Sequence, residues 1–275
     1  MAVFFFAHLV EYLRRMASVL SRENGLVEKA KSGARHLLRL LRLDLTQNLA
    51  YDRMTEAIIK KHVQPGMNCI DVGCHKGEIL ALLLRKSPDG RHLGFEPIPG
   101  FAQDLASKFT EFPNVEIVEC ALSDTEGQST FQYVTNAPAY SGIRERAYAV
   151  DNPGIEQIEV ELLPLDRWLT PGRPWGFVKI DVEGGELAVL RGAEAVLKAD
   201  RPLVVFECGL GASEFYGTTA ADVYAYLNGE VGYRLHTLKG YLNDPMGEGL
   251  SATSFQQMFD QNLEYYFVAS PTPWA

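Results

Sequence analysis

The sequence predicts an α/β domain built on a mostly parallel sheet with helices on both faces, preceded by a helical extension. Three observations predict it. From Met67 onward, short apolar runs alternate with helix-period stretches, the rhythm of parallel strands joined by crossover helices. The first run closes in a glycine-rich turn, Asp71-Val-Gly-Cys-His-Lys-Gly77, that opens a helix. The second run closes in Gly94-Phe-Glu-Pro97, which places an acid, Glu96, 19 residues beyond Gly77.

Composition sets the bounds. The chain has 275 residues, 47% hydrophobic and 22% charged, which suits a globular domain with a sizeable core and excludes a disordered or fibrous chain. Its net charge of −9 is uneven: residues 1–62 carry +5 and the remainder −14. An acidic body argues against nucleic acid, whose phosphates need clustered basic residues. Only the basic N-terminal part suits an anionic partner. Cys69, Cys74, Cys120 and Cys208 form no CxxC pair and read as buried reduced thiols. The six histidines show no metal-ligand spacing.

Residues 1–62 read as two or three helices forming an extension, and 63–275 as the main domain. At the start, Arg14 and Arg15 follow the apolar run instead of preceding it, unlike a secretory signal. The uncharged run Met1–Val10 is too short to span a bilayer. Phe6, Leu9, Val10, Leu13, Ala17 and Leu20 fall at helical spacing, so an amphipathic helix and a cytoplasmic protein are expected. Around Arg35–Leu43, leucines 37, 38 and 41 oppose arginines 35, 39 and 42. Such a helix packs on the domain, joins a second copy, or lies on a membrane surface.

In the main domain, strands are expected at Met67–Val72, Arg91–Phe95 and Val115–Cys120, with helices at Gly77–Arg85 and Phe101–Phe109. Residues 124–165 interrupt the rhythm: Ser129–Val134 and Ile158–Leu163 alternate as strands around a Gly-, Pro- and Tyr-rich loop, so a β-rich insertion or lid is expected. Strand Phe177–Ile180, helix Glu186–Leu197, strand Leu203–Phe206, helix Ala220–Leu227 and strands Tyr233–Thr237 and Tyr265–Ala269 complete the domain.

The chemistry concentrates at two places. In the first turn, Gly73 and Gly77 allow close backbone approach, and the free N–H groups of the helix start suit a polar ligand. Glu96 is placed to accept hydrogen bonds from ribose hydroxyls. A dinucleotide site expects G-x-G-x-x-G, whereas this turn reads D-x-G-x-x-x-G. Asp71 would repel a pyrophosphate but suits a ligand with an ammonium group, as in S-adenosylmethionine (SAM). The other reading is a structural turn. The second place is Phe177-Val-Lys-Ile-Asp-Val-Glu-Gly-Gly-Glu186, where alternation puts Lys179, Asp181 and Glu183 on one side at a strand's carboxyl end. They are candidates for general base and acceptor alignment, or for an ion pair capping the next helix.

DVGCHKG, GFEP, CALSD, LPLDRWL and KIDVEGGELAVLRGA, in that order, resemble the FkbM family of SAM-dependent methyltransferases over residues 48–240. The resemblance implies a class I methyltransferase fold, a Rossmann-like seven-stranded sheet with a reversed final hairpin. It also implies O-methylation of a hydroxyl on a small acceptor: a sugar of a glycan or glycolipid, or a polyketide. Carried onto this chain, Asp71, Gly73 and Gly77 would hold the methionine end of SAM, with Cys74 and His75 inside the loop where the family has Ala-Asn. Glu96 would hold the ribose. Pro97, Ile98, Ala121, Leu122 and Ser123 would flank the adenine. Asp181 is the first choice of base, Glu183 the second, and Lys179 would align the acceptor.

Asp181, Glu183 and Glu207 also offer oxygens to Mg²⁺, although no diagnostic spacing marks them and no metal ligand is assigned. Tyr140, Ser141 and Arg144 lie in the insertion, where they would either touch the acceptor or serve only as loop. His236 reads as a core histidine. The rival readings are a SAM-binding module without catalysis and an NAD-dependent oxidoreductase.

Overall fold

A computed structural model describes residues 47–148, 150 and 152–272. The expected helices before residue 47, including Arg35–Leu43, lie outside the described residues. The first described helix, α1, is Gln47–His62. The chain divides into two compact units at Arg53/Met54, and every strand belongs to the second.

Seven strands form the main sheet: β1 (Asn68–Val72), β2 (His92–Phe95), β3 (Val115–Val118), β7 (Trp175–Ile180), β8 (Leu203–Glu207), β9 (Tyr233–Thr237) and β10 (Tyr266–Pro271). Their order is β3-β2-β1-β7-β8-β10-β9. Only β10 runs antiparallel to its neighbours. The sheet therefore has the mostly parallel order and reversed last strand expected of the class I methyltransferase fold. The chain leaves β1 toward β2 and returns later at β7, so the order reverses between β1 and β7. In open α/β sheets ligands bind outside the strands' carboxyl ends at such a reversal.

Helices cover both faces. Ile70, Val72, Leu93 and Phe95 join a large core with Leu187 and Leu190 of α4 (Glu186–Arg191), Val196 and Leu197 of α5 (Glu194–Ala199), Val223 of α6 (Ala220–Tyr224), and Phe255 and Phe259 of α8 (Ala252–Asp260). The opposite face of β2, at Gly94, meets Cys74, Leu80 and Ile117. There Leu80 and Leu84 of α2 (Glu78–Lys86) pack with Leu105 of α3 (Pro99–Lys108). The short helix α7 (Leu238–Asn243) follows β9.

The insertion forms a second sheet, β4 (Ala121–Leu122), β6 (Ile155–Leu163) and β5 (Gly127–Val134), in that order. The third strand thus stops at Val118, short of the expected Cys120. Ala121 and Leu122 are not open loop: they pair in parallel with Leu162 and Leu163 of β6.

The single helix expected over Glu186–Leu197 is two helices. The chain turns at Gly192, where an added Cβ would lie 2.0 Å from the Ser123 carbonyl oxygen. The second helix is capped from outside, by Asp166 carboxylate oxygens that accept from the Ala195 and Val196 N–H groups at 2.9 Å. The helix expected over Ala220–Leu227 passes at Ala225 into a π-helical turn ending at Glu230. Two helices absent from the expectation, α7 and α8, are capped by Thr237 and Ser251.

Candidate active site

The glycine-rich turn and the β7 turn meet. Asp181 N–H donates to the Val72 carbonyl at 3.1 Å. Gly73 has φ +77°, and a Cβ there would stand 1.9 Å from the Asp181 carbonyl oxygen. Only glycine gives both the left-handed backbone and that approach.

Parallel register explains the charges beneath. Asp71 lies opposite Lys179 on the neighbouring strand, so both side chains share a face. Lys179 Nζ stands 3.0 Å from Asp181 Oδ2 and 3.9 Å from Asp71 Oδ1. Burial pulls the ammonium down, but the carboxylates of Asp181 and Asp71 outweigh it and hold it above the ordinary lysine range. Lys179 is buried, with its charge set against these two carboxylates. Burial pushes the Asp71 carboxyl up to about 6, against the pull of Lys179. Asp71 Oδ1 is buried with no hydrogen-bond partner.

Glu96 is buried, and its two oxygens accept from His75 N–H at 2.8 Å and Ile98 N–H at 3.0 Å. It thus ties the glycine turn to the start of α3. A carboxylate offers about four lone-pair sites, so two remain. Burial raises its pKa despite those two donors. His75 sits at φ 48° with its ring edge-on to Phe101, and burial lowers its pKa. Cys74 is spent internally: its thiol packs with Leu80 and Leu105 and donates to the Asp71 carbonyl at 3.1 Å. Its N–H and C=O are also bonded, to the Phe95 carbonyl and the Gly77 N–H. Ile98 and Ala121 pack together with Phe131 and Val160 of the insertion.

Asp181 is the half-open carboxylate, with its side chain 23% exposed. Tyr266 donates to its Oδ2 at 2.6 Å. Burial pushes the Asp181 carboxyl up, but the Lys179 ammonium and the hydrogen bonds from Glu207, Tyr266 and Lys179 win and hold it at about 2. Burial and the Asp181 charge drive Glu207 the other way, well above the carboxylate range.

Alternation stops after Asp181. Glu183 sits in the turn at φ 60° and ion-pairs with Arg146 of the insertion. Glu186 is buried and staples this turn, its Oε1 accepting from Val182 and Gly184 N–H at 3.1 Å. Burial pushes the Glu186 carboxyl up to about 7.

The insertion lies against the turn. Arg146 stacks over Tyr140 at 4.9 Å, and Arg144 over Tyr216 at 5.7 Å. Arg144 N–H donates to the Tyr216 hydroxyl at 3.1 Å, and Ala147 N–H to the Gly211 carbonyl at 2.8 Å. Ser141 is internal, its Oγ accepting from Val134 N–H at 2.9 Å. His236 is buried and bonded to Ser270, as a core histidine should be. All four cysteines are buried and free.

The carboxylates of Asp181, Glu183 and Glu207 come within 4.8 Å of one another. As a donor set they do not fit Mg²⁺. Asp181 is neutralised by Lys179 and Glu183 by Arg146, and Glu207 favours its proton. Sequence reading missed Tyr266, Tyr216 and Arg146. Tyr266 reaches the site only because β10 pairs it with Glu207, a register that no local pattern announces.

A family profile described as the methyltransferase FkbM domain matches residues 71–235. Over 154 residues the chain is 27% identical to methyltransferase sdnD of Sordaria araneosa, covering 46% of this chain and 60% of that protein. Over 86 residues it is 31% identical to the AMB antimetabolite synthetase AmbE of Pseudomonas aeruginosa, covering 31% of this chain and 4% of that one. The chain thus spans less than two thirds of either curated relative. Among solved structures, the methyltransferase FkbM from Methylobacillus flagellatus aligns with 14% identity and a TM-score of 0.44, over 78% of this chain and 50% of that one. The O-methyltransferase TomG from Streptomyces achromogenes aligns with 15% identity and a TM-score of 0.39, over 88% of each chain.

Proposed function

The chain belongs to the FkbM methyltransferase family, and from that premise we propose that it methylates a hydroxyl of a small acceptor, a sugar of a glycan or glycolipid, from SAM. The observation that carries this reading is Asp181, an ionised and half-open carboxylate held against the glycine-rich turn.

The turn fits SAM on its own chemistry. Asp71 Oδ1 is buried and accepts no hydrogen bond, with the Lys179 ammonium standing off at 3.9 Å. It is open to a donor such as an ammonium group supplies. Glu96 keeps two lone-pair sites for ribose hydroxyls. Asp71, Gly73, His75 and Gly77 would hold the methionine end, Glu96 the ribose, and Pro97, Ile98, Ala121, Leu122 and Ser123 the adenine side; Cys74 would serve by shaping the turn. When bound, SAM supplies a methyl group on a positively charged sulfur.

The chain's own work is to place the acceptor hydroxyl and receive its proton. Asp181 accepts the hydroxyl's hydrogen bond and orients its oxygen. A carboxylate held at about 2 is a weak base toward a resting alcohol. As the oxygen commits its electrons to a new bond, however, its proton becomes strongly acidic, and a weak base suffices late in the step. Lys179 keeps Asp181 ionised. Glu183, paired with Arg146, shapes the acceptor side instead of standing in as base.

A natural-product hydroxyl is the second reading, favoured by the similarity to an antimetabolite synthetase. The test is transfer of labelled methyl from SAM to a panel of glycans, glycolipids and polyketide alcohols. Label on a sugar supports the proposal. Label on polyketides alone favours the second reading, and SAM binding with no transfer to any hydroxyl favours a binding module.

A further inference from the structure

Asp181 does not stand alone, and two residues beside it come from the next two strands of the sheet, β8 and β10. β8 ends at Glu207, β10 begins at Tyr266, and antiparallel register places these two residues side by side. From there Tyr266 donates to Asp181 Oδ2 at 2.6 Å, the same oxygen that faces the Lys179 ammonium at 3.0 Å. The Glu207 carboxyl comes within 4.8 Å of the Asp181 carboxyl. Two carboxylates this close repel each other, which favours a proton on one of them.

We propose that Glu207, as a neutral acid, and Tyr266 are positioning residues for the reaction: together with Lys179 they make Asp181, and not Glu207, the ionised carboxylate that meets the acceptor. This rests on the reading of Asp181 given above. The charges around the pair agree with one shared proton. Lys179 on β7 and Tyr266 on β10 both favour the anion at Asp181. Glu207 faces Asp181 and feels Glu186 of α4, both of which oppose its ionisation, while Arg146 of the insertion favours it more weakly. Glu183, in the turn, completes the group and is paired with Arg146. Glu207 therefore keeps the proton and Asp181 the charge, as in coupled carboxyl pairs generally. The device gives the site one hydrogen-bond acceptor of fixed direction where three acids would otherwise compete for the hydroxyl.

Infrared spectroscopy of the full chain at pH 7 tests this without an acceptor. Glu186, at about 7, carries its own proton part of the time at pH 7, so the spectra are read in the Glu186→Gln background. There the carbonyl stretch of a neutral carboxylic acid should remain, and it should be lost on adding Glu207→Gln. Tyr266→Phe should shift that band, because the shared proton moves toward Asp181 when one donor to it is gone. A band unchanged in Glu207→Gln overturns the neutral-acid role, and a band unmoved in Tyr266→Phe overturns the part given to the tyrosine. If Glu207→Gln does not fold, the Tyr266→Phe spectrum decides alone. Calorimetry of the wild type with SAM separates the two readings. Failure to bind SAM removes the methyltransferase premise, whereas SAM binding without the acid band removes only the carboxyl pair.

Discussion

At the scale of single residues, the site is a set of buried carboxyls driven apart by their surroundings. Asp181 is held at about 2 by Lys179 and its hydrogen bonds, while burial lifts Asp71 to about 6. Activity should therefore show no acid limb from Asp181 above pH 4, and a pH–rate profile with any transferring acceptor checks this. Asp181→Asn should lower turnover by about 10²–10⁴, the range for loss of a general base. Wild-type turnover in that variant would falsify the role. Glu96 carries a separate expectation. Glu96→Ala removes both the ribose contacts and the two amide tethers that join His75 to Ile98. SAM affinity should fall by about ten- to hundredfold, or roughly 1.5–3 kcal/mol for bonds to a charged group. Calorimetry with SAM and with NAD measures it; tight NAD binding would contradict the cofactor assignment. Glu96 and Asp181 were legible in the sequence because each ends an apolar run that could only be a strand. Tyr266 and Arg146 were not: their places depend on register and on how the insertion folds back. Cys74 and Lys179 were legible by position but not by orientation, since burial decides which way a side chain points.

At the scale of elements, two turns make the site, and each depends on a backbone that few residues tolerate. Gly73→Ala would force a Cβ to 1.9 Å from the Asp181 carbonyl at φ +77°. The backbone strain alone costs about 1–3 kcal/mol. A lower melting temperature and weakened SAM binding should appear together. The β7 turn is stapled by Glu186, whose folded carboxyl lies at about 7 against an ordinary value of 4.5. A raised carboxyl means that the folded state binds more protons than the unfolded one between those values. Its contribution is full below pH 4.5 and is lost as pH rises to 7. Asp71 acts in the same sense up to about 6. The histidines whose burial lowers their pKa values act in the opposite sense below 6.5, so the check is a difference. The melting temperature of the wild type relative to Glu186→Gln should fall between pH 5 and 7, by about 2–4 °C per kcal/mol for a chain of this size. A wild-type-minus-variant difference that rises across this window would contradict the assignment. Most of the parallel strands were readable because they are short, largely apolar and buried runs. The break at Gly192 was not. Residues 186–197 keep a helical period throughout, and the interruption comes from Ser123 packing and the Asp166 cap, both distant in sequence. Helices α7 and α8 are short, and their signals, a Thr or Ser cap before Leu238 or before Phe255, are weak without the strand each packs on.

At the scale of the whole molecule, the charge is +5 over residues 1–62 and −14 beyond. Every residue proposed to touch SAM lies between Asp71 and Ser123, and the family match begins at 71. No helix among the described residues is long and apolar enough to cross a membrane. We therefore propose that residues 1–45 govern assembly, peripheral contact with a membrane, or the approach of the acceptor, and leave the cofactor alone. A chain beginning at Asp44 keeps α1 whole and should bind SAM within about threefold of the full chain, a difference under about 0.7 kcal/mol. The same shortening should change what the basic segment does. Either the full chain alone sediments with anionic vesicles, in a salt-sensitive way, or it alone forms an oligomer by light scattering. A basic segment and an acidic body suit self-association between copies as well as lipid binding, and salt weakens both. Vesicle composition separates them, because only lipid binding needs the anionic headgroup. If the shortened chain folds yet loses SAM, the segment belongs to the cofactor site. The division into a catalytic body and a basic docking arm is then wrong.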